Sequence, residues 1–190
     1  MRAILICTAF TGALVSSALA HTGVEQTNSF ASGIAHPLSG ADHILAIFAV
    51  GLWGVLAGGR AIWIWPIAFV ATMLAGFAAA SLGLQMPFVE PVIWSSIIIL
   101  GLLVALAVKA QVWPGAMIAG LFAFFHGHAH GTETTAANLI PYAAGFVLAA
   151  AGLHAAGIGL GLFAQSSIGK VALRALGGLT VLGGVALIAG

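Results

Sequence analysis

Residues 124–133 read FFHGHAHGTE. They follow a run of apolar residues and pack three histidines (His126, His128, His130) and one carboxylate (Glu133) into eight positions. The chain around them avoids charge: 62% of its residues are hydrophobic and 5% are charged, whereas soluble domains carry about a quarter charged residues. That contrast decides the fold class. Long apolar runs with so little charge mark an integral membrane protein. Helices satisfy their own backbone groups, so an all-α polytopic bundle is the expected architecture in lipid. The 26 glycines let such helices approach one another closely.

Composition also excludes several functions. The net charge of +1 leaves no basic patch for nucleic acid. The one cysteine, Cys7, rules out an internal disulfide framework and a multi-cysteine metal site. There is no P-loop, no dinucleotide fingerprint and no G-x-S-x-G elbow, so no prosthetic group is expected and the chain does not read as an enzyme.

The first twenty residues, MRAILICTAFTGALVSSALA, form a class of their own. Arg2, an apolar stretch from Ala3 to Val15 and the ending Ala18-Leu19-Ala20 make a secretory signal peptide with a small-x-small cleavage site; an uncleaved first helix is the alternative. Cleavage starts the mature chain at His21, outside the cytoplasm. The expected organisation is therefore a signal peptide over 1–20 and a six-helix transmembrane domain over 21–190.

Six segments are long enough to cross a hydrocarbon layer of ~30 Å, at about 31–57, 61–83, 91–109, 112–131, 139–162 and 169–189. Pro66, Pro91, Pro114 and Pro141 fall in their first turns, where a missing N–H costs least. With the mature N-terminus outside, Arg60, Lys109 and Lys170 all reach the cytoplasmic side, as the positive-inside bias requires. Trp53, Trp63, Trp65 and Trp113 then gather near the inner interface, and Trp94 and Tyr142 near the outer one. The glycines of the last two segments, among them Gly157, Gly159, Gly177 and Gly178, read as close-packing positions.

Two polar constellations lie in the outer half of this arrangement. The first is HPLSGADHILA, residues 36–46. His36 and His43 are seven apart and share a helix face to within about 20°, while Asp42 points away from that line in a regular helix. An ionised aspartate at such depth costs roughly 2.5–3.5 kcal/mol even on the gentler insertion scale, so Asp42 pairs with a positive group or stays near water. Pro37, Ser39 and Gly40 predict an interruption between His36 and Gly40. Broken membrane helices line cavities or are buried in protein, and transporters use them for ion sites.

The second constellation is the opening stretch. His126 and His130 are four apart and Glu133 is seven from His126, so all three share a face. His128 falls on the opposite side, where solvent exposure or weak surface capture of metal is the plainer reading, although Gly127 and Gly131 weaken the helix enough to let it swing inward. His21, as a new N-terminus, offers an amine and an imidazole that chelate together, or is a mobile end. His154, deep in the fifth segment without a polar companion, reads mainly as a packing histidine, with a later step on an ion path as the alternative. If segments one and four adjoin, imidazoles and carboxylates converge. That donor set suits Ni²⁺, Co²⁺, Zn²⁺ or Cu²⁺ better than Ca²⁺ or Mg²⁺.

HPLSGADH in the first segment and FAFFHGHAHGTE in the fourth resemble the signature motifs of the HupE/UreJ family, and the likeness extends along the whole chain. The resemblance implies a membrane permease for nickel, with cobalt as a second substrate and a link to hydrogenase or urease maturation. It also implies that His36, Asp42, His43, His126, His130 and Glu133 are its functional positions. The expectation is a secondary transporter in the bacterial inner membrane, its mature N-terminus periplasmic and its partners a divalent ion and the bilayer. Ligation needs neutral imidazole, so capture is expected to weaken below about pH 6. A membrane-embedded zinc-dependent hydrolase and a bis-histidine haem protein are the alternatives.

Overall fold

The interruption expected in the first segment sets the geometry of the whole bundle. In the computed structural model, which describes residues 30–133 and 139–189, helix α1 (Phe30–Ser39) stops at Gly40 and α2 (Ala41–Ala57) leaves at an angle of 82° to it. Gly40 is extended, with φ −88° and ψ 120°. Those angles suit any residue, so the need for glycine there is one of space: a Cβ would fall against Asp42 Oδ1 and His43 Nδ1. Ser39 Oγ donates to the His36 carbonyl at 2.8 Å and closes the end of α1.

The remaining elements are α3 (Ala61–Ser81), α4 (Val89–Ala105), α5 (Val112–Glu133), α6 (Leu139–Phe163) and α7 (Ser167–Ala189), with no strand among the described residues. Helices α3, α6 and α7 are each long and apolar enough to cross a membrane, and α1 with α2 make a fourth span if the bent pair is taken together. Helix α4 is apolar but has 17 residues, about 25 Å of rise. The signal peptide over 1–20, His21 and Glu25 lie outside the described residues, as does the side chain of Glu133.

Small residues govern which helices adjoin. Helix α3 packs most densely on α5, α4 on α7, and α6 on both α1 and α2. At the α3–α5 contact, a Cβ on Gly76 would meet the Phe124 carbonyl and one on Gly127 the Met73 carbonyl, so backbone touches backbone. Gly127 and Gly131 thus serve close approach, and α5 runs unbroken to Glu133. Close packing holds for Gly157 and Gly177, whereas Gly159 and Gly178 face open space.

Two of the tryptophans expected near an interface are interior. Trp53 and Trp65 are fully buried, with ring centroids 4.1 Å apart. Their indole N–H groups donate to the carbonyls of Val108 and Val112 at 2.8 and 2.7 Å, and Arg174 Nε donates to the Ala105 carbonyl at 2.8 Å. These bonds tie α2, α3 and α7 to the connection between α4 and α5. Trp63 and Trp113 keep exposed positions, while Tyr142 is buried.

Candidate metal centre

At the opposite end of the bundle, the bend at Gly40 folds α1 back so that His36 and His43 meet, their ring centroids 5.7 Å apart. A shared face of one straight helix is not what joins them. Asp42 has the partner that its depth calls for. It sits in the first turn of α2, where the helix dipole favours a carboxylate, and its Oδ1 lies 2.8 Å from His43 Nδ1. The carboxylate accepts the Nδ1 proton, so the neutral imidazole of His43 presents its Nε2 lone pair inward.

Facing it across the interior, His43 Nε2 is in direct contact with His130 Nε2. The His130 ring lies 4.4 Å from that of His36 and 4.5 Å from that of His43. One ligand atom each from His36, His43 and His130 falls within 4.8 Å of the others, close enough to grip one ion. His126 completes the group from one turn earlier on α5, its ring 5.3 Å from His43. The His126 Nδ1–H donates to the Phe122 carbonyl at 2.9 Å, so its Nε2 keeps a lone pair. That Nε2 is buried without a hydrogen-bond partner among the described residues. The cluster is graded in access: His36 and Asp42 are partly exposed, whereas His43, His126 and His130 are buried.

Helices α5 and α1–α2 make at most marginal backbone contact. The imidazoles themselves bridge the interval, walled by α6, whose Phe146 lies 4.9 Å from the His130 ring and 5.9 Å from the His43 ring. Phe146 went unnoticed in the sequence; the one signal was its spacing of four from Tyr142, which also lies beside His36. With the rings this close, no haem-sized gap separates them.

His128 corrects the expectation of an exposed surface residue. It does point away from the cluster, but it is only 3% exposed. Its Nε2–H donates to the Leu84 carbonyl at 2.7 Å and fastens the connection between α3 and α4. It is buried because α3 packs on that side of α5. His154 is buried too, on α6, and is separate from the cluster.

The carboxylate of Asp42 touches the ligand rather than the space between the ligands. Asp42→Asn is therefore expected to leave the fold intact and weaken any divalent-ion binding at the cluster by roughly 10–100-fold, the usual effect of losing a partner that orients a ligand. Isothermal titration of the detergent-solubilised protein measures this, and unchanged affinity would contradict the assigned tautomer.

A bundle of apolar helices that gathers His36, His43 and His130 at one end defines a membrane-helix protein with a histidine cluster that could hold a metal ion. The chain belongs to the HupE/UreJ family: the sequence model of that family, described as HupE / UreJ protein, matches residues 8–187. It is 44% identical over 179 residues to the protein named Protein HupE from Rhizobium leguminosarum bv. viciae, covering 94% of this chain and 93% of that one. No solved structure matches it.

Proposed function

We propose that the protein is a permease that takes up Ni²⁺, with Co²⁺ as a second substrate, across the bacterial inner membrane. The observation that carries this is the convergence of His36, His43 and His130 ligand atoms within 4.8 Å, with the unpartnered Nε2 of His126 beside them. Neutral imidazoles suit borderline divalent ions, and the family resemblance agrees. Partly exposed His36 and Asp42 form the entrance from the periplasm, and the sequence offers Glu133 and His21 as further capture groups. The basic ends Arg60, Lys109 and Lys170 support six spans with both mature termini outside.

Ion capture works by exchange. The metal takes imidazole lone pairs that protons otherwise hold at lower pH, which couples binding to pH. Nothing in the chain resembles an ATP site, which leaves a gradient, the membrane potential or trapping of the metal inside as the drive. For a doubly charged ion, an inside-negative potential contributes about 4.6 kcal/mol per 100 mV.

Purified protein in liposomes, with a metal-sensitive dye inside, tests the proposal. Nickel entry well above that of empty vesicles is expected, faster than Zn²⁺ entry and falling as the outer pH drops from 7.5 to 5.5. Entry equal to that of empty vesicles for Ni²⁺, Co²⁺ and Zn²⁺ alike would sink it. One stoichiometric zinc retained through dialysis would point to the hydrolase alternative.

A further inference from the structure

Two histidines on different helices carry the same local device. His126 on α5 donates Nδ1–H to the carbonyl one turn back, Phe122, at 2.9 Å. His154 on α6 does the same to Ala150 at 2.9 Å. In both, that bond fixes the tautomer and leaves a lone pair on Nε2, and in both, Nε2 is buried with no hydrogen-bond partner among the described residues. A buried acceptor with no partner is costly. The first such nitrogen adjoins the metal cluster, and the second is not part of it.

One ring stands between the two. Phe69 on α3 is fully buried, its centroid 6.2 Å from the His126 ring and 5.2 Å from the His154 ring. Helical rise puts the two histidines at different depths: Phe146 on α6 lies beside His130 on α5, and from that level His126 is four residues deeper, about 6 Å, and His154 eight, about 12 Å. His154 thus lies about 6 Å farther toward the end that carries Arg60 and Lys109. Beside it, α3 and α6 leave a groove of about 450 Å³ lined by Pro66, Ile67, Val70, Val147 and Ala155. Among the described residues, His154 is the one metal-ligating side chain on its wall.

We propose that His154 is a second station on the metal path, taking a divalent ion from His126 once the Phe69 ring between them moves aside. This rests on the permease reading above. A single imidazole holds an ion weakly, with water completing its shell, which suits a point of passage. Neutral imidazole selects the same ions at this station as at the cluster.

The test uses the liposome assay together with nickel titration of the same preparations. His154→Leu, which fills the space and removes the nitrogen, is expected to slow nickel entry at least tenfold. Equilibrium nickel affinity and melting temperature should stay within twofold and within a few degrees of the parent. Phe69→Ala is expected to speed entry several-fold, and it is read independently if the leucine variant does not fold. Entry through His154→Leu within twofold of the parent would overturn the second station alone, as would a loss of affinity matching the loss of entry. Where the leucine variant fails to fold, unchanged entry through Phe69→Ala overturns it. Failure of the parent protein to admit nickel would remove the permease reading and this station together.

Discussion

Replacing His43 by alanine is expected to reduce nickel accumulation to that of cells lacking the protein, a fall of more than about 100-fold, beyond the roughly 10–100-fold typical of an outer partner such as Asp42. His43 is the hub of the cluster. Its Nδ1 holds the Asp42 carboxylate at 2.8 Å, its Nε2 touches His130, and its ring adjoins those of His36 and His126. Removing it takes away one ligand and strands a carboxylate that has lost its imidazole. His43→Gln keeps a similar volume and an amide donor for Asp42, so its failure to restore uptake would assign the loss to ligation rather than packing. The measurement is radioactive nickel uptake in cells whose membranes hold equal amounts of each protein. Uptake above a tenth of the parent level in the alanine variant would contradict the site.

The second large effect concerns the helix pair that carries the site. Gly127→Val is expected to destabilise the bundle by at least about 1–3 kcal/mol, the usual range for overpacking. The added Cβ meets the Met73 backbone carbonyl, which no side-chain rotation can move. Forcing α3 from α5 also displaces His126 and His130, which flank Gly127 on α5. Gly178→Val is the control, since a Cβ there meets nothing within 4 Å. Thermal unfolding in detergent should show a lowered midpoint for the first variant and a nearly unchanged one for the second. Equal midpoints would mean that α3 and α5 are not in backbone contact.

Much of the site was written along single helices. The i, i+4 spacing of His126 and His130 places both on one side of α5, and the structure brings both to the cluster. The sequence Pro37-Leu38-Ser39-Gly40 announced the interruption that the structure puts at Gly40. What misled was the assumption of a regular helix through that point. It put His36 and His43 on one face of a straight helix, when the 82° bend between them is what brings their rings together. His128 misled for another reason. The spacing correctly put it on the far side of α5 from His126, but the far side of a membrane helix is not necessarily the outside, and α3 covers it.

The amino-acid sequence by itself determined the class of protein, the order and approximate bounds of its helices, and the shared face of His126 and His130. Charge scarcity, proline placement and helical period act locally and need no partner. Only the tertiary structure decided which faces meet. Helix α5 lies against α3, the bent pair against α6, and the histidines span the interval between them. The physical reason is that helices apolar all round carry no contrast between a lipid-facing and a protein-facing side. Their neighbours are chosen by the fit of glycine to backbone across the bundle, which is a property of two surfaces together and cannot be read from either one.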